Sequence, residues 1–265
     1  MKEIDFSKFS SIKIGPKVKV AEIDEICEIP KEFFLIGGAN NLLVAPNPPP
    51  LALLSKRFDY IFEDEKGVHA GAAVKSGKLL SYAKKHDLKG FELLQKLPGT
   101  IGGIVKMNAG LKEFCISDNI ISVLTNNGWK RKEEIDFGYR TSSIKGVIFE
   151  TLFAKKEGFD TALFEIFKNL RSNQPNIPSA GSCFKNPSGD FAGRLLEQAG
   201  LKGMRIGNMA FSDIHANFLV NLGGGTYEEA ITLITAAHKA VFEKFGIKLE
   251  LEIKIVSKTR SADLF

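Results

Sequence analysis

Residues 97–110 read LPGTIGGIVKMNAG, and residues 36–44 read IGGANNLLV. The stretch at 36–44 follows an apolar run typical of a strand, and the stretch at 97–110 opens an apolar, helix-like segment. Glycine pairs of this kind let the backbone approach a ligand closely and expose consecutive N–H groups, which suits a phosphate. One such loop is more often a tight turn. The two together favour a cradle for a pyrophosphate.

Outward from these loops, short apolar runs bounded by glycine, asparagine and proline predict strands. These strands are expected over 33–36, 41–44, 68–74, 120–124, 129–132 and 147–154. Ser76 is expected to cap a helix that ends before Gly90. A second helix is predicted over 161–171, with Leu163, Ile166, Phe167 and Leu170 on its buried face.

The last part of the chain has the clearest local signals. Thr226 and Glu229 have the spacing of a capping box, and Gly246 is placed to end the helix that they begin. Residues 249–255 alternate apolar and charged side chains, which predicts a strand buried on one face. The prolines at 46–50 favour a linker, and the change in pattern after Gly158 favours the start of another lobe. The fold class is therefore α+β.

Composition excludes several classes. The net charge is +5 over 265 residues, but Lys and Arg are scattered, so a nucleic-acid tail is not indicated. Met1–Ser10 is expected to be neither a secretory signal nor an anchor, and no apolar run reaches the roughly 20 residues of a membrane span. Cys27, Cys115 and Cys183 are far apart and form no CxxC pair. We therefore expect neither disulfides nor a cysteine metal site, and we predict a reducing compartment.

Familiar nucleotide motifs are also missing. Residues 71–79, GAAVKSGKL, have five residues between the glycines and end in Leu where a P-loop requires Ser or Thr. No G-x-G-x-x-G occurs, so a Rossmann dinucleotide domain has no local support. A third polar cluster, PSAGSCFKNP at 178–187, is either a well-made turn or a ligand-binding loop.

These motifs occur in one order along the chain. IGGANNLLV, LPGTIGGIVKMNAG, YRTS at 139–142 and PSAGSCFKNP are followed by AGRLLEQAGLKGMRIG at 192–207, HANFLVN at 215–221 and FGIKLELEIKIV at 245–256. In this order the sequence resembles the UDP-N-acetylenolpyruvoylglucosamine reductase family. The likeness extends from about Leu35 to Val256.

The resemblance implies an FAD-binding portion of the PCMH type, like that of vanillyl-alcohol oxidase, and a substrate-binding lobe. The FAD-binding lobes are then expected at 1–50 and 51–157, the substrate-binding domain at 158–247, and a C-terminal strand returning to the active site at 248–265. The implied activity is NADPH-dependent reduction of UDP-N-acetylglucosamine enolpyruvate to UDP-N-acetylmuramate through FAD, in peptidoglycan precursor synthesis. The implied location is the cytoplasm, and the implied ligand is a nucleotide-sugar substrate. Binding to nucleic acid, to a membrane or to an obligatory protein partner is not expected.

The resemblance also implies residue roles. Arg140, Ser182 and Glu252 are the expected catalytic residues: Arg140 for the substrate carboxylate and developing enolate, Ser182 as proton donor, and Glu252 to orient or polarise the carboxylate. Tyr139, Lys185 and Asn186 are expected to bind substrate. The expected FAD-binding residues are Gly37, Gly38, Ala39, Asn40, Asn41, Leu42, Pro98, Gly99, Thr100, Gly102, Gly103, Asn108, Ala109 and Gly110.

Other interpretations of the same residues compete. Arg140 could pair with a surface carboxylate, Ser182 could cap a turn, and Glu252 could be a solvated residue of an alternating strand. Cys183 is an alternative acid, but neighbours in an extended segment face opposite ways, so it is predicted to pack in the core. His215 and His238 are assigned no role.

The sequence departs from the family pattern in places. Asn40 stands where the family usually has Ser, and LKEF follows MNAG where AYG is common. The compact interval between YRTS and GSCFKNP is typical of the branch that lacks an additional substrate-covering tyrosine loop. Two other functions are compatible with these motifs: that of an FAD oxidase that uses oxygen, and that of a noncatalytic nucleotide-sugar binding protein.

Overall fold

A computed structural model of the protein describes residues 1–258. Its strands are β1 (Lys2–Asp5), β2 (Lys17–Ile23), β3 (Phe34–Ile36), β4 (Leu42–Val44), β5 (Leu51–Leu54), β6 (Ile61–Glu63), β7 (Val68–Gly71), β8 (Gly110–Leu111), β9 (Phe114–Cys115), β10 (Ile120–Thr125), β11 (Gly128–Arg131), β12 (Phe137–Gly138), β13 (Thr141–Ser142), β14 (Ile148–Phe153), β15 (Ser179–Ser182), β16 (Arg205–Ile206), β17 (Met209–Phe211), β18 (Phe218–Asn221) and β19 (Lys254–Val256). Its α-helices are α1 (Phe6–Phe9), α2 (Ser76–Lys85), α3 (Ile101–Lys106), α4 (Thr161–Leu170), α5 (Ala192–Gln198) and α6 (Tyr227–Phe245). The predicted mixture of helices and strands is confirmed.

The chain divides into two compact units. Unit 1 contains Met1, Val20–Gly38 and Leu51–Ser172, and unit 2 contains Lys2–Lys19, Ala39–Pro50 and the described residues from Asn173 onward. The first unit therefore extends past Gly158, where the change of sequence pattern favoured a new lobe. Compactness assigns no function to either unit, so the division into segments 1–50, 51–157, 158–247 and 248–265 stays a prediction. Of the last segment, residues 259–265 lie outside the described part of the chain.

Unit 1 is built on an antiparallel sheet in the order β11-β10-β14-β7-β6. All six residues of β14 are buried, as expected for a central strand. Helix α2 buries Leu79, Leu80 and Ala83 in the same core. In this unit β5 also pairs in parallel with β2 on one side and β3 on the other.

Two local expectations in unit 1 are wrong. Ser76 does not cap α2, because Lys75 is the N-cap residue and the Ser76 hydroxyl donates to the Leu97 carbonyl at 2.5 Å. Ile166 does not lie on the buried face of α4, since it is largely exposed. Phe167 does lie in the core of unit 1, where its ring packs edge-to-face against Phe114 at 5.2 Å. The amphipathic pattern identified the helix but not the full width of its buried face.

Unit 2 contains a sheet in the order β15-β18-β17-β16 and the long helix α6. The predicted capping box is confirmed: Glu229 N–H donates to Thr226 Oγ1 at 3.2 Å, and Thr226 N–H donates to Glu229 Oε2 at 3.1 Å. Gly246 ends the helix with φ 69°, a left-handed conformation that glycine adopts without a Cβ clash. Helix α6 then buries Ala230, Leu233 and Ile234 in the unit's core.

The strand expected over 249–255 is wrong in extent. Only Lys254–Val256 forms a strand, β19, which pairs in parallel with β4, while Leu251 makes an isolated bridge to Phe184. Ile253 and Val256 are buried but Ile255 is only half-buried, so strict alternation fails. Pairing with two different segments breaks the regular strand that the pattern indicated. Across residues 1–258, no helix is both long and apolar enough to span a bilayer.

Candidate active site

The two glycine loops meet within unit 1. Gly37 follows β3, and a Cβ placed on it would lie 2.5 Å from Thr100 Oγ1 in the second loop. Carbon and oxygen do not approach so closely, so only glycine allows this contact. A Cβ on Gly102 would likewise lie 2.9 Å from that of Ala72. Tertiary structure thus brings together two motifs that are about sixty residues apart in sequence.

Two consecutive amides of the second loop are already hydrogen-bonded within unit 1. Ile101 N–H donates to the Val74 carbonyl at 2.8 Å, and Gly102 N–H donates to the Ala72 carbonyl at 2.9 Å. The Gly99 carbonyl accepts from Ser76 N–H at 2.9 Å. These bonds fix the loop on the segment that follows β7. The amides of Ile101 and Gly102 are therefore engaged within the protein.

Asn108 joins the second loop to the hairpin of β12 and β13. It is buried and left-handed, with φ 46°, and its side-chain nitrogen donates to the Gly138 carbonyl at 3.1 Å. Its side-chain oxygen accepts from Ser117 N–H at 3.4 Å. The buried side chain therefore uses both ends to hold neighbouring backbone. Two residues later, a Cβ on Gly110 would lie 2.2 Å from the Phe114 carbonyl oxygen, so the hairpin of β8 and β9 requires glycine there.

Tyr139 and Arg140 form the two-residue turn between β12 and β13, where Gly138 pairs with Thr141. Arg140 has φ 56°, a conformation that costs a residue with a side chain roughly 1–2 kcal/mol. Its guanidinium carbon lies 4.9 Å from the centre of the Tyr139 ring, within cation–π range. The turn therefore presents a half-buried cation on a strained backbone, as functional sites often do.

Arg171 is a candidate site residue that the sequence prediction missed. It is the C-cap of α4 and only 6% exposed; one guanidinium nitrogen donates to the Leu93 carbonyl at 3.3 Å. Its Nε atom is buried with no hydrogen-bond partner. Burial, and next the charge of Arg140, lower the pKa of Arg171 from 12.5 to about 10. A basic residue at a helix C-terminus is ordinary in sequence, so only the structure distinguishes this one.

Within unit 2, the segment after Ser182 is fixed by its backbone. Cys183 N–H donates to the Asn217 carbonyl at 2.6 Å, and the Asn217 side chain donates to the Phe184 carbonyl at 2.8 Å and accepts from Phe184 N–H at 2.9 Å. Asn217 belongs to the HANFLVN motif, and its hydrogen bonds hold the backbone of the predicted catalytic segment in place. Ser182 itself ends β15 opposite Phe218 and is half-buried.

Glu252 lies beside this segment. Glu252 N–H donates to the Cys183 carbonyl at 2.9 Å, and its own carbonyl accepts from the Asn41 side chain at 2.9 Å. Unit 2 therefore places the backbone of Glu252 beside that of Cys183, the residue after Ser182. Asn41, expected at the cofactor, helps to hold the Glu252 segment in place. Ala39, two residues before Asn41, has φ 52°, and its carbonyl accepts from Ser11 N–H at 3.1 Å.

Cys183 is excluded as the acid by its surroundings. Its side chain is fully buried in the core of unit 2, which confirms the packing prediction. Burial, and then the negative charge of Glu252, raise the pKa of the Cys183 thiol well above 9. Ser182, the residue before it, is half-buried.

The predicted substrate-binding residues of this unit are both engaged. Lys185 Nζ lies 2.5 Å from Glu250 Oε1, and Lys185 N–H donates to the Glu250 carbonyl at 2.8 Å. The Asn186 side-chain oxygen accepts from Ala192 N–H at 3.0 Å, at the start of α5. Among residues 1–258, no cluster of three or more His, Cys, Asp or Glu side chains is placed to hold a metal ion.

Known proteins resemble this chain along nearly its whole length. Residues 173–256 match the family model of the UDP-N-acetylenolpyruvoylglucosamine reductase C-terminal domain. A curated UDP-N-acetylenolpyruvoylglucosamine reductase from Helicobacter hepaticus is 49% identical over 257 residues, covering 96% of this chain and 98% of that protein. One from Campylobacter jejuni is 48% identical over 258 residues, covering 96% and 99%.

A solved structure also matches over nearly the full length. The crystal structure of UDP-N-acetylenolpyruvylglucosamine reductase from Thermus caldophilus has a TM-score of 0.82 and 27% identity, covering 96% of this chain and 98% of that one. The 49% and 48% identities to the Helicobacter hepaticus and Campylobacter jejuni proteins extend over nearly the full length of each pair, which indicates a shared overall fold. The chain belongs to the UDP-N-acetylenolpyruvoylglucosamine reductase family.

Proposed function

We propose that this chain reduces UDP-N-acetylglucosamine enolpyruvate to UDP-N-acetylmuramate, with NADPH as electron donor and FAD as cofactor, in peptidoglycan precursor synthesis. The observation that carries the proposal is 49% identity to a curated reductase along nearly the whole chain. In this proposal the α+β fold consists of a PCMH-type FAD-binding portion and a substrate-binding lobe. In this proposal the enzyme acts in the cytoplasm and needs no obligatory protein partner.

The residues present suit FAD. Arg171 holds an unpartnered, buried N–H donor, which suits a ligand bearing anionic and hydrogen-bonding groups. The two loops, with Asn108, Ala109 and Gly110, form the cofactor-binding set. When bound, FAD supplies the hydride that NADPH provides.

Arg140 binds the enolpyruvyl carboxylate in this proposal. A guanidinium is permanently charged and presents two parallel N–H donors, which match a carboxylate in geometry and stabilise the charge that develops as the double bond is reduced. The buried charge of Arg171 acts with Arg140, because two cations held in one region favour an anion there. Removing a preorganised donor of this kind typically lowers turnover by about 10²- to 10³-fold.

Ser182 donates the proton from its Oγ atom to the α-carbon of the reduced substrate. A hydroxyl is a poor acid, so it performs this role only toward a strong base such as the α-carbon of an enolate. Glu252, fixed next to Cys183 by backbone hydrogen bonds, orients the substrate carboxylate. Tyr139, Lys185 and Asn186 bind the rest of the substrate, with Asn186 as the candidate for the diphosphate.

The experiment separates the two half-reactions. Purified protein loaded with FAD is reduced anaerobically with NADPH, then mixed with UDP-N-acetylglucosamine enolpyruvate, and the flavin spectrum is followed at each step. Bleaching by NADPH and recovery of the oxidised spectrum with the enolpyruvyl sugar are expected. Recovery of the oxidised spectrum with oxygen but not with the enolpyruvyl sugar would instead favour an oxidase. Tight binding of the sugar without any reduction of the flavin by NADPH would favour a noncatalytic binding protein.

Joint action of Arg140 and Ser182 is tested by a double-mutant cycle. If both act in one reductive step, Arg140→Gln combined with Ser182→Ala slows substrate reduction much less than the product of the single effects. Fully multiplicative losses would indicate that the two side chains act independently.

A further inference from the structure

Strand β15 is irregular where it reaches Ser182. The register of its pairing with β18 shifts between Ser179 and Ser182, and Gly181 in this interval has φ 79°. A bulge of this kind leaves a residue outside the ladder and re-aims the neighbouring side chains. Regular strand pairing therefore stops at Ser182, and the residues after it are held by other contacts.

The Asn217 side chain supplies these contacts. Its oxygen accepts from Phe184 N–H at 2.9 Å, and its nitrogen donates to the Phe184 carbonyl at 2.8 Å. An amide bonded in this way engages both polar groups of one residue, as the opposite residue of an antiparallel pair does. The Asn217 carbonyl also accepts from Cys183 N–H at 2.6 Å. Asn217 thus holds the backbone of both residues that follow Ser182.

These backbone groups lie in the interior of unit 2. Phe184 is fully buried, and Asn217 is 3% exposed. An unpaired buried N–H or C=O is costly, so without the Asn217 side chain the segment would shift toward other partners. Another contact of the segment is independent of Asn217, because Lys185 N–H donates to the Glu250 carbonyl at 2.8 Å. Loss of the Asn217 amide is therefore expected to displace the segment rather than to unfold the unit.

Asn217 is itself held by the turn between β17 and β18. Its N–H donates to Nδ1 of His215 at 3.2 Å. The Ser212 hydroxyl oxygen accepts from the N–H groups of Ile214 and His215 at 3.1 and 3.4 Å. The supporting amide is therefore fixed by contacts within its own turn, which is what a group that positions another residue requires.

We infer that Asn217 is a positioning residue for proton transfer, and that it sets the position of Ser182 through the backbone of Cys183 and Phe184. The inference rests on the proposed function and adds a residue to it. A proton donor has to lie within hydrogen-bond reach of the atom that it protonates. A displacement of about 1 Å is enough to slow such a step by about 10²-fold.

The experiment compares Asn217→Leu with the matched control Asn221→Leu in FAD-loaded protein. Asn221 lies at the other end of β18 and is equally buried. Its side chain also bonds to backbone through both ends of the amide, donating to the Ile12 carbonyl and accepting from Gly223 N–H, each at 2.9 Å. Both substitutions are expected to lower the free energy of unfolding in urea, since both leave buried backbone groups unpaired.

Only Asn217→Leu is expected to slow reduction of the enolpyruvyl sugar, by about 10²-fold per bound flavin in anaerobic stopped-flow mixing. Reduction of the flavin by NADPH does not use the Ser182 proton, so both variants are expected to stay within about threefold of the wild-type rate in that half-reaction. A general structural defect would slow both half-reactions.

Coupling to Ser182 gives a second readout. In the Ser182→Ala background, Asn217→Leu is expected to slow substrate reduction by less than about threefold, because the hydroxyl that it positions is already absent. Multiplicative losses, equal slowing of the two half-reactions, or a wild-type rate in Asn217→Leu would each overturn the inference. If wild-type protein itself does not reduce the sugar, the proposed function fails, and this inference fails with it.

A measurement on wild-type protein keeps the inference open to refutation if Asn217→Leu does not fold. Hydrogen exchange at the Phe184 amide, followed by NMR, is expected to be slow because that N–H is buried and bonded to Asn217. Exchange at the rate of an unprotected amide would overturn the inference.

Discussion

Replacing Arg171 with methionine is expected to impair the reaction while leaving the flavin-free protein about as stable as wild type. In the folded state the pKa of this guanidinium is lowered from 12.5 to about 10, equivalent to about 3 kcal/mol against the charged form. Because a cation with a depressed pKa is penalised at every pH below about 10, methionine relieves this cost at neutral pH.

The gain is offset by one lost hydrogen bond. Arg171 donates to the Leu93 carbonyl, and a hydrogen bond from a charged group contributes about 1.5–3 kcal/mol. The net change is therefore within about 1–2 kcal/mol of zero, or roughly 5 °C in Tm for a chain of this length. Phe167→Ala, on the same helix and fully buried, serves as the matched control and should cost about 3–5 kcal/mol.

Two measurements check the prediction. Urea unfolding of the flavin-free variants gives the free energy of unfolding, and anaerobic stopped-flow mixing gives the rate of substrate reduction per bound flavin. Arg171→Met is expected to slow that rate by about 10²-fold, and Arg171→Lys is not expected to restore it, because an ammonium lacks the forked donor. A loss of stability equal to that of Phe167→Ala with an unchanged reduction rate would refute the reasoning.

Three further predictions follow from the same contacts. Ser182→Ala should leave flavin reduction by NADPH nearly intact and slow the reduction of the enolpyruvyl sugar by at least about 10²-fold, measured as separate half-reactions; equal rates in both would remove the hydroxyl from proton donation. Gly37→Ala should lower the free energy of unfolding by about 1–3 kcal/mol, because its Cβ meets Thr100 Oγ1, whereas Gly77→Ala in α2, with open space around it, should be neutral or stabilising in the same urea titration. The buried Cys183 thiol, with its pKa raised well above 9, should react with a thiol reagent at pH 8 only on unfolding; prompt labelling of that residue in native protein, identified by mass spectrometry, would contradict its place in the core.

Local signals predicted much of the secondary structure correctly. The capping box of Thr226 and Glu229 and the terminal Gly246 were identified because their partners lie within a few residues along the chain. The same is true of β10, β14 and α4, whose apolar periodicity is set by neighbouring residues. The errors fall where a distant segment competes, as at Ser76, whose hydroxyl bonds to Leu97 rather than to its own helix.

In the candidate site, too, local patterns predicted some features and contacts between distant segments determined others. Motif order identified the family and nominated Ser182 and Glu252, but the placement of Glu252 beside Cys183 depends on a backbone hydrogen bond that no local pattern encodes. Arg171 was missed because its burial and its unpaired Nε are properties of the folded protein. The convergence of Arg140 with Ser182 and Glu252 stays a prediction.

The amino-acid sequence by itself determined the elements, the glycine positions and the residue types suited to the chemistry, since propensity, capping and backbone freedom act over a few residues. Only the tertiary structure decided that Gly37 meets Thr100, that amides of the second glycine loop are already bonded, and that a cation is buried at Arg171. These features depend on which segments far apart in sequence come into contact, and on the cost of leaving a buried polar group unpaired.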